Sequence, residues 1–253
     1  MSVSIQDAAK EMQQRIKSED IKNRLDFAGT IWEREEPFDY LFKTEGPIGY
    51  QTIDKDGNLP KSTFYTCRHV KPKNIGFNVD ISGWPTDLNT YQLDMISKYY
   101  GQQLAFNEAK VVIAGLSTFS EDTLTVKTAN ISLDDIKNAI KKLTEKNSYA
   151  DSIILSNTEY ALLKEKGILT ELMPSIPQPI IIKNNKAIIA GLCAYSFPMT
   201  DCSAILFQKG SIILTRSPLK IRMDPPESPL RLIIEQWCSS APSDGREVIK
   251  IEK

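Results

Sequence analysis

The strongest constraint in this sequence is a proline-free segment, residues 88–114, whose apolar side chains recur at helical spacing. Thr86 or Asp87 can cap its start, and Gly115 follows its end. We therefore predict a helix of about seven turns. Gly101 lies inside it, where glycine costs about 1 kcal/mol relative to alanine, and this suggests a close approach by a neighbouring backbone. The apolar side comprises Leu93, Ile96, Tyr100, Leu104, Ala105, Val111 and Val112.

Three further helices are predicted. Residues 5–25 carry apolar side chains near helical spacing among Lys, Glu and Gln, the pattern of an amphipathic helix. A second begins at Ser132, where Asp135 at the third position resembles a capping box. A third runs over residues 157–166 and is stopped by Gly167.

Short strands account for much of the remaining chain. Residues 75–81 alternate apolar with polar side chains, which predicts a half-buried strand leading towards the long helix. Segments 48–53 and 62–70, separated by a turn at residues 56–58, predict a hairpin with a long reach. Residues 152–156 form a short apolar strand. Others are predicted at 180–183, 187–190, 203–208, 211–214, 230–236 and 247–251. This mixed order predicts an α+β fold.

The bulk composition is that of a folded chain without a strong electrostatic preference. The 253 residues are 41% hydrophobic, enough for one large core or two modest ones. Lys and Arg number 31 against 32 acidic residues, so the net charge of −1 does not draw the whole molecule to a polyanion. No signal-peptide pattern is present, and the apolar runs are too short to cross a bilayer. We expect a soluble, intracellular protein with no membrane partner.

The residues that catalysis or metal binding would need are sparse. The four cysteines (67, 193, 202 and 238) are scattered, which favours reduced thiols, and a zinc site would need more closely paired ligands. There is one histidine, and the sequence lacks nucleophile, phosphate-binding and dinucleotide motifs. The acidic pairs Asp134-Asp135 and Glu35-Glu36 are typical of solvated surface or a helix start. We predict no enzyme activity, no cofactor and no metal.

The order of elements resembles a known family. Residues 42–50 are similar to the Gly-Pro-containing stretch that opens the E-loop of encapsulins, and residues 74–83 lead into the long helix as they do in that family. Residues 103–115 look like the end of the family's spine helix. The helix at 132–143, followed by residues 152–159, resembles its A-domain pattern. Together these stretches resemble the HK97-type coat fold of tailed-virus major capsid proteins and encapsulins.

This resemblance implies an HK97-like coat fold over nearly the whole chain, with a P-domain that contains the long spine helix and with an A-domain. The implied parts are an N-terminal helix and arm (1–41), an extended E-loop-like hairpin (42–73), a P-domain with the spine helix (74–130), an A-domain-like region (131–217), and C-terminal strands that return to the P-domain (218–253).

The resemblance also implies a function: self-assembly with copies of the same chain into an icosahedral shell. The E-loop-like hairpin would contact a neighbouring subunit through Tyr50, Phe64 and Tyr65. The N-terminal helix would face the lumen or an encapsulated cargo protein, at positions that include Ile5, Met12 and Ile16.

Two shell alternatives remain open, together with a third from another class. The chain is short for a tailed-virus coat protein, which favours a cytoplasmic encapsulin-like compartment enclosing a cargo protein. The alternative is a viral or proviral major capsid protein that encloses DNA in a virion. A non-shell α+β binding protein is the third reading. The basic run at residues 68–73 is the nearest approach to a nucleic-acid contact.

Overall fold

The four predicted helices are present in the structure, a computed structural model that describes residues 2–24, 29–33, 40–43, 65–68, 70–83, 87–171, 187–224, 231–243 and 247–253. The helices are α1 (Ile5–Asn23), α2 (Thr90–Phe119), α3 (Leu133–Glu145) and α4 (Asn157–Glu165). The first nine strands are β1 (Ser2–Ser4), β2 (Thr30–Glu33), β3 (Tyr40–Lys43), β4 (Tyr65–Arg68), β5 (Lys73–Asn74), β6 (Phe77–Asp80), β7 (Asp87–Asn89), β8 (Asp122–Thr125) and β9 (Ser152–Ser156). The others are β10 (Thr170–Glu171), β11 (Ala187–Ile189), β12 (Leu192–Phe197), β13 (Ala204–Phe207), β14 (Ile212–Arg216), β15 (Lys220–Asp224), β16 (Arg231–Glu235), β17 (Trp237–Pro242) and β18 (Val248–Glu252). A 3₁₀ turn covers Lys209–Ser211.

Helix α2 is the predicted long helix, displaced at both ends. It spans 30 residues, and its cap is Asn89, whose side chain accepts a hydrogen bond from the Gln92 amide. The Gln92 side chain in turn accepts one from the Asn89 amide, which completes a capping box. The predicted cap at Thr86 or Asp87 is therefore wrong. Gly115 does not end the helix either, since the helix continues to Phe119.

Two glycines let α2 approach its neighbours closely. A Cβ atom at Gly101 would lie 2.8 Å from the carbonyl oxygen of Ile16 in α1, closer than van der Waals contact allows. At Gly115 a Cβ atom would overlap the carbonyl oxygen of Ser240 in β17. The close approach predicted at Gly101 is therefore confirmed. The glycine predicted to terminate the helix instead allows contact with β17.

Seven strands form the largest sheet, in the order β10-β11-β12-β9-β13-β18-β8. The pairs β12–β9 and β18–β8 are parallel, and the remaining neighbours are antiparallel. Strand β9 faces two cores because its side chains alternate. Ile154 packs with residues of α1 and α2, whereas Ile153 and Leu155 pack with residues of α3 and α4.

The other described sheets are smaller, and strand β17 of one of them packs on α2. One has the order β2-β14-β17-β5 and another the order β15-β16-β6. Strands β1 and β7 pair just before α1 and α2 begin, and β3 pairs with β4. In the described part of the chain, no helix is both long and apolar enough to span a membrane.

Several local predictions are confirmed. Strand β9 covers the predicted residues 152–156. Ser132 caps α3 with Asp135 at the third helical position, as the capping-box pattern indicated. Gly167 follows α4 with a φ of +68°, the left-handed conformation that ends a helix. The predicted strand at 180–183 lies outside the described residues.

The C-terminal strands differ from the prediction in number. Sequence reasoning missed β15 and β17, and it missed β12 as a strand distinct from β11. Strand β16 pairs with β6, as expected for a segment that returns to the region of residues 74–130. Strand β18 lies between β13 and β8 in the seven-stranded sheet, and β8 also belongs to the region of residues 74–130. The predicted domain boundaries stay predictions.

The contact between α2 and β17 generates a stability prediction. Gly115→Ala should lower the free energy of unfolding by about 1–3 kcal/mol, because the methyl group forces α2 away from Ser240. Gly83→Ala is the matched control: a Cβ atom there meets no atom within 4 Å, so a change within about 0.5 kcal/mol is expected. Urea unfolding at one protein concentration measures both. Equal losses in the two variants would contradict the close contact.

Candidate assembly surfaces and a buried charge cluster

The hairpin predicted to contact a neighbour is described at its base. Tyr65 is the first residue of β4 and pairs with Lys43 of β3, in an antiparallel ladder that runs to Tyr40 and Arg68. Tyr50 and Phe64 lie outside the described residues. The ladder brings together the two strands that flank residues 44–64. The assignment of Tyr50, Phe64 and Tyr65 to a subunit contact stays a prediction.

The N-terminal helix packs on α2 and buries two of the three side chains that were assigned to the lumen. Ile5 is the first residue of α1. Met12 and Ile16 are both 0% exposed and belong to the first hydrophobic core. The assignment of these two side chains to a cargo-facing surface therefore needs correction, because a fully buried side chain has no surface to offer. That α1 as a whole lies on an inner face stays a prediction.

One face of α2 carries large exposed side chains that sequence reasoning missed. Tyr91, Met95 and Tyr99 are 71%, 53% and 57% exposed. Their spacing of four places them in one row, which we call the α2 stripe. The Tyr99 ring packs edge-on against Tyr100, whose ring contacts Phe77 of β6. The spacing of four residues could have indicated the α2 stripe from the sequence. That spacing does not distinguish an exposed apolar row from a buried one, however.

A cleft of about 350 Å³ lies along the seam between α1 and α2. The ion pair of Arg15 with Asp94 joins its two walls. Two other pairs lie within α1: Arg15 contacts Glu11, and Lys22 lies 2.6 Å from Glu19. Its lining residues are Arg15, Ser18, Glu19, Lys22, Asp94, Ser97 and Lys98. A cleft lined in this way suits a polar or charged segment better than an apolar one.

A cluster of charged side chains lies deeper along the same seam, and we call it the charge cluster. Its members come from four elements or their ends: Asp20 and Arg24 from the end of α1, Glu33 from β2, Glu108 from α2 and Arg216 from β14. The Asp20 and Glu108 side chains are 2% and 6% exposed. Charges this deeply buried are destabilising unless they are paired.

Glu108 has the weakest ion pairs within the charge cluster. Arg24 donates to both carboxylate oxygens of Asp20, and Arg216 donates twice to Glu33 at 2.9 and 2.7 Å. Glu108 lies farther from both arginines, at 3.3 Å from Arg24 Nε and 3.6 Å from Arg216 Nη1. The Cys238 thiol also lies 4.0 Å from the Glu108 carboxylate.

Burial shifts the pKa values of the cluster's acids. Desolvation raises the pKa of Glu108 to about 7, and the nearby Arg24 only partly offsets it. Desolvation likewise raises the pKa of Asp20 to about 6, against the opposing effect of Arg24. The pKa of the Cys238 thiol rises well above its ordinary value because the thiol is buried and lies near Glu108, so the thiol is neutral at physiological pH.

The other candidate chemical residues have structural positions. Asp135 belongs to the capping box of α3, which confirms the interpretation of the pair Asp134-Asp135 as a helix start. Cys193, Cys202 and Cys238 are free thiols, and Cys67 lies within β4. Within the described ranges no three His, Cys, Asp or Glu side chains are grouped so that they could hold a metal ion.

Comparison with known proteins identifies the fold. No family model matches the sequence, and no curated protein matches it. Among solved structures, a virus-like particle protein from Pyrococcus furiosus gives a TM-score of 0.61 at 13% identity, over 96% of this chain and 98% of that one. The holo-SrpI encapsulin complex from Synechococcus elongatus PCC 7942 gives 0.55 at 10% identity, over 94% and 88%. The capsid of the cyanophage P-SCSP1u gives 0.53 at 10% identity, over 88% and 85%. The chain has the HK97-type coat fold, and this confirms the predicted fold.

The buried position of Ile16 generates the second prediction. Ile16→Ala should lower the free energy of unfolding by about 2–5 kcal/mol, because it leaves a cavity between α1 and α2. Ile21→Ala is the matched control on the same helix, where the side chain is 53% exposed and a change within about 0.5 kcal/mol is expected. Urea unfolding followed by circular dichroism compares them. An Ile16 variant as stable as the Ile21 variant would contradict a core role.

Proposed function

We propose that this chain is a structural subunit that assembles with copies of itself into a closed icosahedral shell, and that it performs no catalysis. The observation that carries this proposal is the extent of the coat fold. The likeness covers 96% of this chain and 98% of the virus-like particle protein from Pyrococcus furiosus. An encapsulin complex and a phage capsid share the fold.

A closed shell needs several different contact surfaces on each subunit, because neighbours meet through unlike patches. The described residues offer candidates. The α2 stripe exposes Tyr91, Met95 and Tyr99, aromatic and methionine side chains of the kind enriched at interfaces. Strand β2 lies at a sheet edge, paired with β14 on one side, and exposes Ile31 and Trp32. The β3–β4 ladder flanks residues 44–64, and we propose Tyr50, Phe64 and Tyr65 as a further contact.

For the contents of the shell, we propose a cargo protein held in an encapsulin-like compartment in the cytoplasm. The cleft between α1 and α2 supports this proposal, since its charged walls offer partners to a polar terminal peptide of a cargo protein. The sequence has nearly equal numbers of basic and acidic residues, which gives no general attraction for DNA.

The alternative contents are DNA, in a viral or proviral capsid. The likeness to a cyanophage capsid favours this reading. Both readings require self-assembly and differ in the material enclosed. A non-shell α+β binding protein, the third reading, would not assemble.

The first test is assembly of the pure full chain. We expect elution as a large particle in size-exclusion chromatography and closed shells in negative-stain micrographs. The triple variant Tyr91→Ser, Met95→Ser, Tyr99→Ser should remain folded but elute as a smaller species, because each buried apolar side chain contributes about 1.5–3 kcal/mol.

The matched control is the triple variant Tyr91→Phe, Met95→Leu, Tyr99→Phe, which keeps the apolar area and should assemble. A monomer or small oligomer under all conditions would overturn the shell proposal. Normal assembly of the serine variant would remove the α2 stripe from the contacts and leave the shell proposal intact.

The second test concerns the contents. Particles isolated from the cells that naturally make them should contain a second protein and have the ultraviolet absorbance ratio of protein. Lys22→Glu with Lys98→Glu should reduce the amount of that protein, because it reverses charge on both walls of the cleft. Lys137→Glu with Lys141→Glu, on the exposed side of α3, is the control. Nuclease-protected DNA in place of a second protein would favour the capsid alternative.

A further inference from the structure

The charge cluster lies where the N-terminal segment is attached to the rest of the subunit. Arg24, one residue beyond α1, pairs with Glu108 of α2. Glu33, the last residue of β2, pairs with Arg216 of β14, which also reaches Glu108. One carboxylate therefore has ion-pair links to the end of α1 and, through Arg216, to the end of β2.

The cluster contains one more acid than base. Its three carboxylates, Asp20, Glu33 and Glu108, face two arginines, Arg24 and Arg216. Outside this set, Lys17 of α1 is exposed and acts on Asp20. Cys238 of β17 contributes a neutral thiol. With every carboxylate ionised, the five-member cluster carries one excess negative charge, and a single proton neutralises it.

Glu108 is the best site for that proton. Each arginine has a closer partner, Asp20 for Arg24 and Glu33 for Arg216. Glu33 is 48% exposed, so water stabilises its charge, whereas the Glu108 side chain is 6% exposed. The acid with the least solvent and the longest ion pairs benefits most from being neutral.

We propose that Glu108 is the proton-binding residue of a pH-dependent clamp. When the charge cluster takes up one proton, the end of α1 and strand β2 dock more tightly onto α2. Loss of that proton loosens both segments. The clamp acts within one subunit and operates whether or not copies of the chain assemble.

The direction of the pH effect follows from linkage. Docking raises the pKa of Glu108 from its ordinary 4.5 to about 7, so the docked form binds more protons between these values. The stabilisation is fully present below about pH 4.5 and is lost as the pH rises through 7. Asp20, with a pKa of about 6, adds to the same trend at lower pH.

Hydrogen exchange of the full chain, detected by mass spectrometry and corrected for the intrinsic pH dependence of exchange, tests the clamp. Protection of residues 5–24 and 30–33 should fall about tenfold between pH 6 and pH 8.5, the change expected for one group with a pKa of about 7. Residues 136–143 of α3, whose buried side chains belong to the second hydrophobic core, should keep their protection.

Three variants separate proton linkage from simple packing. Glu108→Gln cannot ionise at this position, so the tenfold fall in its α1 protection should disappear and leave the smaller contribution of Asp20. At pH 8.5 its protection should be at least equal to that of the wild type. Glu33→Gln leaves Arg216 free to pair with Glu108 and should shift the transition to lower pH. Asp94→Asn, which breaks the separate pair with Arg15, should lower protection equally at every pH.

A wild-type profile that is flat, or in which protection rises with pH, would overturn the clamp. So would a tenfold change that persists in Glu108→Gln. If Glu108→Gln does not fold, the shift expected in Glu33→Gln decides the question, and an unshifted transition there counts against the proposal.

Discussion

The close packing of α2 between α1 and β17 is the constraint on which the rest of the subunit depends. Gly101 and Gly115, on opposite contacts of one helix, bring its backbone against Ile16 and Ser240. Because backbones approach this closely, the side chains around them have little room to adjust, and the position of α2 fixes where α1 and β17 can lie. The exposed row of Tyr91, Met95 and Tyr99 is carried by the same rigid element, so a surface suited to association has a defined geometry.

The charge cluster lies at the same interface between α1 and α2, where it places ionisable groups beside the apolar packing. An apolar pair in place of Glu108 and Arg24 would avoid the cost of burying charge and would pack at least as well. The buried carboxylate instead makes the attachment of the N-terminal segment sensitive to its chemical surroundings. Packing of Met12 and Ile16 stabilises the contact between α1 and α2. The ionisable groups beside that contact make its stability depend on pH.

Sequence reasoning found the elements whose pattern is local. A few neighbouring residues determine the structure at each of these places: the cap formed by Ser132 with Asp135, the apolar strand 152–156, and the helix end at Gly167. Strand β17 escaped because its small polar side chains lack alternation, and it forms through pairing with β14. The charge cluster escaped for a stronger reason: Arg216 and Glu33 are 183 positions apart, so no local pattern brings them together. The coat fold was recognised through the order of its elements.

The central place of β18 in the large sheet has a consequence for how the polypeptide reaches its final form. Strand β18 follows all the other strands of that sheet in the chain, yet it separates β13 from β8. Ser120, beside β8, donates a hydrogen bond to the carbonyl oxygen of Val248 across 128 positions. Contacts of such long range make folding slow. On a ribosome, β13 and β8 cannot be joined into one sheet until β18 emerges, so this sheet is completed after all its other strands have been made.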